Sequence, residues 1–217
     1  MSSTARAFTD LVSWFQSHKR SFPWRVSPTP YSVWISEVML QQTQASRVVS
    51  FFLRWMEQFP SLYDLSQATE HEVIKLWEGL GYYSRVRSLR KGSIVITEQH
   101  KGIFPQDRST LLLIPGIGPY TQGAIRSFAF HQRAPAVDAN VERVLSRWMD
   151  LAIVKGSSSA RREVETLLER ILPIREPHVA MESLIELGAL VCQKKPLCRR
   201  CPFCASCLSL KRGSLCE

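Results

Sequence analysis

Residues 110–130 read TLLLIPGIGPYTQGAIRSFAF, two apolar segments joined by the letters PGIGP. The pattern predicts a short helix ending at Ile114, a hairpin, and a second helix beginning at Pro119, a residue suited to a first helical turn. Gly116 and Gly118 can take backbone angles closed to other residues and let another chain come close. Because helix N-termini present N–H groups and a positive dipole end, this is a candidate phosphate site; the alternative is a simple turn between packed helices.

The rest of the 217-residue chain also has a helical pattern. Apolar residues recur at three- and four-residue spacing within 48–59, 73–77 and 167–172, and twelve prolines divide the chain into segments of ordinary helix length. No segment alternates apolar and polar residues over a strand length. We therefore predict an all-α fold of about ten short helices, with one soft loop at 155–159 whose last serines cap the next helix.

A formal net charge of +9 favours a polyanionic partner, either nucleic acid or an anionic membrane, over ordinary solubility charge. No apolar stretch is long enough to span a bilayer, and the N-terminus does not read as a signal peptide. The chain is therefore expected to be intracellular, in the cytoplasm or nucleoid of a bacterium or in the nucleus or an organelle of a eukaryote.

All six cysteines lie between Cys192 and Cys216. In a reducing compartment such a terminal group indicates ligation of a metal or cluster before it indicates disulfides. Part of the group forms an unbroken Cys-x2 series, namely Cys198, Cys201, Cys204 and Cys207. Iron–sulfur clusters and a zinc ion on four thiolates are both compatible with these donors.

Two carboxylic acids stand out as candidates for chemistry. Asp138 directly precedes the helical pattern ANVERVLSR, which makes it an N-cap candidate. Glu37 lies in the segment YSVWISEVMLQQTQ (31–44), among apolar residues that would raise the pKa of its carboxyl, as suits a general acid. The alternative for Glu37 is a surface position on the polar side of a helix.

Together these segments resemble the helix–hairpin–helix DNA glycosylase superfamily, and the runs at 31–44 and GLGYYSR (79–85) resemble its adenine-specific, MutY-type branch, which is related to endonuclease III. The resemblance extends from Phe8 to Cys207. It implies a two-lobed fold with a C-terminal iron–sulfur cluster loop. Residues 22–132 would form a six-helix barrel domain with the hairpin, and residues 1–21 with 133–217 a helical cluster domain. Most members continue into an 8-oxoguanine-recognition domain, which this sequence is expected to lack.

The resemblance implies a monomeric base excision repair enzyme. It would flip adenine out of mispairs with 8-oxoguanine or guanine in double-stranded DNA and hydrolyse the N-glycosidic bond. Glu37 would protonate adenine N7, Asp138 would stabilise the developing sugar cation, and Asn140 would support Asp138, a two-carboxyl logic shared with glycoside hydrolysis. Tyr120 occupies the position where bifunctional relatives carry a nucleophilic lysine, so a monofunctional glycosylase is expected.

The resemblance also implies a set of base-binding residues. Gln42 would fill the space left by the flipped base, and Tyr82 would wedge beside the opposing base. The full set comprises Arg25, Trp24, Glu182, Leu40, Gln42, Thr43 and Tyr82. Core packing is the alternative for the two aromatic rings.

A 4Fe–4S cluster is the cofactor that the resemblance implies. The family spacing is Cys-x6-Cys-x2-Cys-x5-Cys, and this chain is one residue short in the first gap if the ligands are Cys192, Cys198, Cys201 and Cys207. The cluster would be structural and would help to present a basic loop to DNA phosphates, with Lys194, Lys195, Arg199 and Arg200. Arg85, Arg87, Arg90 and Lys91 add to the basic surplus elsewhere.

Three other readings stay open on sequence alone. A thymine-mismatch glycosylase would share Tyr120 and Asp138, whereas an endonuclease III-like enzyme would need a lysine that is missing here. A non-catalytic helix–hairpin–helix DNA-binding protein would need neither carboxyl group.

Overall fold

The computed structural model describes residues 3–154 and 156–213. Lys155, in the predicted soft loop, and Cys216, the last of the six cysteines, lie outside these ranges. The chain divides into two compact units, Ser21–Phe130 on the one hand and Met1–Arg20 with His131–Glu217 on the other. None of the described helices is both long and apolar enough to cross a membrane.

In chain order the α-helices of the described ranges are α1 (Ser3–His18), α2 (Pro30–Leu40), α3 (Ala45–Gln58), α4 (Leu62–Gln67), α5 (Glu70–Trp77), α6 (Ser84–Gln99), α7 (Arg108–Leu111), α8 (Pro119–Ala124), α9 (Ala139–Met149), α10 (Ser158–Ile171), α11 (Pro177–Leu190) and α12 (Leu208–Lys211). A π-helical segment, Ile125–Ala129, continues α8, and 3₁₀ turns span Pro23–Arg25 and Cys198–Arg200. These residues contain no strand, so the all-α prediction is confirmed, with twelve helices instead of about ten.

Local side-chain caps start many of these helices. Thr29, Ser61 and Thr69 each accept from the backbone three residues on, and the residue there bonds back to the cap, which forms three capping boxes. Ser157 accepts a hydrogen bond from the Ala160 N–H at 3.1 Å, so a serine caps α10 as predicted, although it is the first of the three serines and not one of the last.

The helix before the hairpin ends three residues earlier than predicted, at Leu111 instead of Ile114. Hydrogen bonds from Leu113 N to Thr110 O and from Ile114 N to Leu111 O turn the chain more tightly than an α-helix would. Pro115 contributes, because a residue before proline is disfavoured in the α conformation.

The unit Ser21–Phe130 is built around α2, whose residues are buried almost without a break from Tyr31 to Met39. Trp34, Trp55 and Trp77 are fully buried, and the rings of the last two meet edge to face at 5.6 Å. A side chain at Gly92 in α6 would meet the Pro115 carbonyl at 2.4 Å, so this glycine lets α6 lie against the hairpin.

The second unit is organised on α9, which packs against α10, α11 and α12, while α1 packs on α11. Trp148 is the aromatic centre, with the Phe203 ring stacked on it at 4.2 Å and the Phe8 ring edge-on at 5.8 Å. These contacts hold the cysteine-rich C-terminal segment and the N-terminal helix on the same helical framework.

Candidate active site

The buried Glu37 and the half-buried Tyr120 form a polar pair inside the unit Ser21–Phe130. Glu37 is only 8% exposed in α2, so the alternative of a surface glutamate is wrong. Tyr120, in the first turn of α8, donates its hydroxyl hydrogen to Glu37 Oε2 at 2.7 Å. The two residues are 83 positions apart in the sequence, and no local sequence pattern predicted their contact. The carboxyl group is thus held in place by a hydroxyl donor.

Asp138 is the N-cap of α9 in the other unit, as predicted. Its Oδ1 accepts from the Val141 N–H at 2.8 Å and its Oδ2 from Asn140 Nδ2 at 2.8 Å. Burial raises the pKa of this carboxyl above its ordinary value, against the lowering effect of those two hydrogen bonds and of the Arg143 charge. The direct bond from Asn140 to Asp138 matches the supporting position that the resemblance implied.

Arg143, which was not among the predicted site residues, extends the contacts of Asp138 and Asn140. Its Nη2 donates to Asn140 Oδ1 at 2.7 Å and to the Gly188 carbonyl at 2.8 Å, and its Nε donates to the Cys192 carbonyl at 2.6 Å. One turn on, Arg147 donates to the Gln193 and Lys194 carbonyls. Arg143 and Arg147 lie one helical turn apart on the same face of α9. This spacing is the signal in the sequence that could have identified the face.

The residues predicted to bind the base lie at separate places in the two units. Leu40 ends α2, and the turn after it carries the exposed Gln42 and half-buried Thr43. Tyr82 is 60% exposed in the loop before α6. Gln42 and Tyr82 have φ values of 57° and 48°, a left-handed backbone that side chains rarely adopt. Glu182 is half-buried in α11, within the other unit.

Trp24 lies in the core of its unit, which was the alternative to base contact. Its ring is 7% exposed, stacks on Phe22 at 4.7 Å and meets Phe52 edge-on at 5.5 Å. Arg25 is half-buried with its guanidinium 5.2 Å from the Phe22 ring. The stacked rings of Phe22 and Trp24 therefore form a fixed surface against which the Arg25 guanidinium packs.

The hairpin glycines differ from each other. Gly116 has φ +86°, and a Cβ there would come within 3.3 Å of Ser88, so it has the backbone freedom that was predicted. Gly118 has φ −95°, a value that other residues also adopt. The prediction that this position uses backbone angles closed to other residues was therefore wrong. Apart from its own chain neighbours, no atom of the described residues lies within 4 Å of a Cβ built on Gly118, which leaves its Cα side open to an incoming group.

The three arginines at the start of α6, Arg85, Arg87 and Arg90, bind protein atoms, whereas Lys91 is exposed. Arg87 pairs with Glu70 at 2.9 Å, and Arg90 donates to the Ala68 carbonyl at 2.6 Å. Arg85 points inward to five backbone carbonyls. By contrast, Lys194, Lys195, Arg199 and Arg200 of the cysteine segment are all exposed, which leaves them available to a partner.

The five described cysteines line one small shared hollow and are free of disulfides. Burial, together with the smaller effect of the nearby thiols of Cys192, Cys207 and Cys198, raises the pKa of Cys201 to about 12. Arg147 donates to Cys192 Sγ at 3.5 Å. In the described ranges no three His, Cys, Asp or Glu side chains converge like the ligands of a single metal ion. The soft sulfur donors around a hollow fit a thiolate-bound group.

The model of the HhH-GPD superfamily of base excision DNA repair proteins matches residues 35–173. The chain is 40% identical to the adenine DNA glycosylase of Rattus norvegicus over 94% of its own length and 41% of that protein. It is 37% identical to the adenine DNA glycosylase of Mycobacterium tuberculosis over 90% of its own length and 65% of that protein. The chain thus spans about two fifths to two thirds of these curated relatives.

Solved structures with the same fold include a thermostable thymine-DNA glycosylase, with a TM-score of 0.88, 24% identity, and coverage of 96% of this chain and 97% of that one. A non-covalent endonuclease III–DNA complex has a TM-score of 0.79 and 25% identity, with 99% of both chains covered. The fold of this chain, which the resemblance implied, is therefore shared with these solved structures.

Proposed function

Because the chain belongs to the HhH-GPD superfamily of base excision DNA repair proteins, we propose that it is a monofunctional DNA glycosylase that removes adenine from mispairs with 8-oxoguanine or guanine. The observation that carries the proposal is the buried Glu37 carboxyl held by the Tyr120 hydroxyl. A buried acid is what protonation of a poor leaving group requires. The adenine glycosylases among the relatives, at 33–40% identity, favour adenine as the base.

In the proposed reaction Glu37 gives a proton to adenine N7, and the electron pair of the C1′–N9 bond leaves with the base. The Asp138 carboxylate stabilises the resulting sugar cation. Water then adds to C1′ and gives up a proton to a carboxylate. The hydrogen bonds from Asn140 and the Val141 N–H to Asp138 oppose the effect of burial and favour its ionised form.

Tyr120 argues against an efficient strand-cutting step. A bifunctional glycosylase attacks the sugar with an amine, which can form a Schiff base at C1′, and a phenol hydroxyl cannot form one. Here the hydroxyl is already committed to Glu37. We therefore assign Tyr120 to the orientation of the general acid.

Base recognition is assigned to the residues that the resemblance indicated. Gln42 and Tyr82, both in exposed loops, would enter the duplex, while Leu40, Thr43 and Arg25 would line the site with Glu182. Trp24 would act from the core, through the Phe22 ring that carries the Arg25 guanidinium. An amide that replaces lost base-pair hydrogen bonds and a ring that stacks are suited to base extrusion.

The proposed partner is double-stranded DNA with a mispaired adenine, which the protein would bind as a monomer. The proposed location is the compartment that contains the cell's DNA. The open side of Gly118 and the start of α8 would receive a phosphate, beside the close packing at Gly116. The exposed cationic loop at 194–200 would contact further phosphates.

We propose a 4Fe–4S cluster on Cys192, Cys198, Cys201 and Cys207, the ligand set whose last two spacings match the family. Cys204 lines the same hollow but is exposed. When bound, such a cluster would brace the C-terminal segment and the basic loop, and it is assigned no part in the bond-breaking step.

Release of adenine and of thymine should be compared on duplexes with A:8-oxoguanine, A:G and T:G pairs. We expect adenine release that Glu37→Gln and Asp138→Asn abolish while DNA binding is retained. Thymine release from T:G without adenine release would support the second candidate, a thymine-mismatch glycosylase. The solved thymine-DNA glycosylase has the same fold as this chain. Binding without any base release would leave a non-catalytic DNA-binding protein.

A further inference from the structure

The inward-facing Arg85 joins the two loops that carry Gln42 and Tyr82. Its Nη1 donates to the carbonyls of Val38, Met39 and Gln41 at 2.7, 3.2 and 2.7 Å, and its Nη2 to those of Leu80 and Gly81, both at 3.2 Å. We propose that Arg85 is a positioning residue for base extrusion that fixes the separation of Gln42 and Tyr82. This inference rests on the proposed function.

Three of the five acceptors lie at the C-terminal end of α2 and in the turn that follows it. The last carbonyls of a helix have no partner within the helix, and a cation there also complements the negative dipole end. Arg85 satisfies the carbonyls of Val38 and Met39 and, in addition, the Gln41 carbonyl directly before Gln42. The Arg85 guanidinium therefore fixes the backbone at the point where α2 ends and the turn that carries Gln42 begins.

The other two acceptors lie in the loop 79–83, at the residues before Tyr82. That loop is held from several sides, because Trp77 Nε1 also donates to the Gly81 carbonyl at 3.0 Å and Arg47 donates to the Gly79 carbonyl. The guanidinium of Arg85 is 5.5 Å from the Tyr82 ring and 5.2 Å from the Trp77 ring. The backbone and the ring of Tyr82 are thus oriented by the same side chain.

Both loops store backbone strain at the residue next to an Arg85 acceptor. Gln42 follows Gln41 with φ 57°, and Tyr82 follows Gly81 with φ 48°. A non-glycine residue keeps such a conformation only when surrounding contacts hold it there. Arg85 supplies such contacts at the residue before each of them, Gln41 and Gly81, at the cost of a buried Nε that has no hydrogen-bond partner in the described residues.

Arginine is required by this geometry because one planar fork serves five acceptors on two loops. A lysine has the same charge but places three donors on a single point, so it cannot bridge both loops at once. An amide and a ring that enter a duplex must keep a fixed separation, since misplacement of about 1 Å can cost a factor on the order of 100 in rate. Rigid coupling of the loops is therefore useful only for a protein that inserts them together.

The test compares Arg85→Lys with Arg87→Lys, a matched control on the same helix whose side chain forms an exposed ion pair with Glu70. The DNA carries a 2′-fluoro adenosine opposite guanine, which resists cleavage, with 2-aminopurine as the adjacent base to report extrusion by fluorescence. We expect Arg85→Lys to slow extrusion at least about tenfold with little change in affinity for a fully paired duplex, and Arg87→Lys to match wild type.

Extrusion by Arg85→Lys at the wild-type rate would overturn the inference. So would a global loss of structure, seen as a large fall in Tm with hydrogen exchange raised throughout residues 21–130, because Arg85 would then be structural only. Exchange raised at 40–44 and 79–83 alone supports the inference. If the wild-type protein neither extrudes nor releases adenine, the proposed function itself fails, and the inference falls with it.

A double-mutant cycle gives an independent readout. Removing the side chains of Gln42 and Tyr82 together, as Gln42→Ala with Tyr82→Ala, should leave Arg85→Lys with no further effect on extrusion, because Arg85 acts through them. Additive losses would show that Arg85 acts by another route and would contradict the assignment.

Discussion

Asp138 illustrates how one residue can serve structure and proposed chemistry with opposing demands. As an N-cap it begins α9, and as a carboxylate it would face a sugar cation. Its burial favours the neutral acid, while its two hydrogen bonds and the Arg143 charge favour the anion. A raised pKa in the folded protein means that the neutral form stabilises the fold, so this stabilisation is lost as the pH rises through that pKa.

Replacing Asp138 by asparagine should therefore abolish base release and still raise stability at neutral pH. Asparagine caps a helix as well as aspartate and stays neutral, so the cost of a buried charge disappears, about 1.4 kcal/mol for each unit of pKa shift. Thermal unfolding at pH 7 and at pH 4 checks this, and the gain should shrink at the lower pH.

Asp107 provides a control of opposite sign, because hydrogen bonds from the Thr110 N–H and Ser109 lower its pKa to about 2. Its ionised form stabilises the fold above the ordinary pKa of aspartate, so Asp107→Asn should lower Tm at neutral pH. A fall in Tm for Asp138→Asn would contradict the burial argument.

Tyr120→Phe should lower the rate of adenine release without preventing it. The change removes a hydrogen bond of 2.7 Å to Glu37 and leaves the ring in place. Hydrogen bonds to charged groups contribute about 1.5–3 kcal/mol, which corresponds to roughly a tenfold to hundredfold loss if the bond acts in the transition state. Single-turnover rates measure this, and an unchanged rate would remove Tyr120 from the site.

At the scale of elements, α11 approaches α9 closely at Asn140, the residue that donates to Asp138. A Cβ at Gly188 would lie 2.5 Å from Asn140 Cβ and 3.0 Å from its backbone oxygen. The Gly188 carbonyl and Asn140 also share the Arg143 guanidinium. The two helices are therefore as close as a glycine permits, at the point where the proposed carboxylate is supported.

Gly188→Ala should push these helices apart and destabilise the protein by about 1–3 kcal/mol, as overpacking of a tight core does. For a chain of this size each kcal/mol corresponds to about 2–4 °C in Tm. Base release should fall as well, because Asn140 moves. An unchanged Tm, measured by thermal unfolding, would show that the contact can relax without cost.

Gly118→Ala is the matched case without a steric conflict, since its φ is ordinary and a new Cβ would have open space around it within the part of the chain that the structure describes. Its Tm should equal that of the wild type. Affinity for DNA should fall several-fold and by the same factor on matched and mismatched duplexes, because phosphate contacts carry no sequence information. Fluorescence anisotropy measures both affinities, and a loss confined to the mismatch would contradict a phosphate role.

At the scale of the whole molecule, the C-terminal segment concentrates both the cysteines and the exposed cations. The ligand set proposed above leaves Cys204 out, and that thiol is exposed whereas Cys192 and Cys207 are buried. Arg143 and Arg147 tie the start of this segment to α9 through backbone carbonyls. The segment is thus held to the helix that begins at Asp138.

Cys204→Ser should keep its bound iron and its charge-transfer absorbance, whereas Cys198→Ser should lose both. Each variant replaces one sulfur by oxygen, so the pair controls for general effects of the substitution. Iron analysis and the visible spectrum of the purified proteins give the result. Loss of iron from Cys204→Ser would place that residue among the ligands.

The sequence alone determined the features that depend on neighbours in the chain. The Asp138 and Ser157 caps, the start of α8 at Pro119 and the all-helical class follow from interactions across three or four residues, whose energies the local sequence contains. The end of α7 was misplaced because a tight turn competes with the helix over the same few residues.

Tertiary structure alone decided which side chains meet. The Tyr120 bond to Glu37, the inward turn of Arg85 and the contact of Gly188 with Asn140 join residues separated by 40 positions or more in the chain. Such contacts depend on how whole helices pack, and a helical pattern fixes which face is apolar but not its partner. A basic residue in sequence can therefore serve DNA or the protein's own carbonyls, and only the packed fold distinguishes the two.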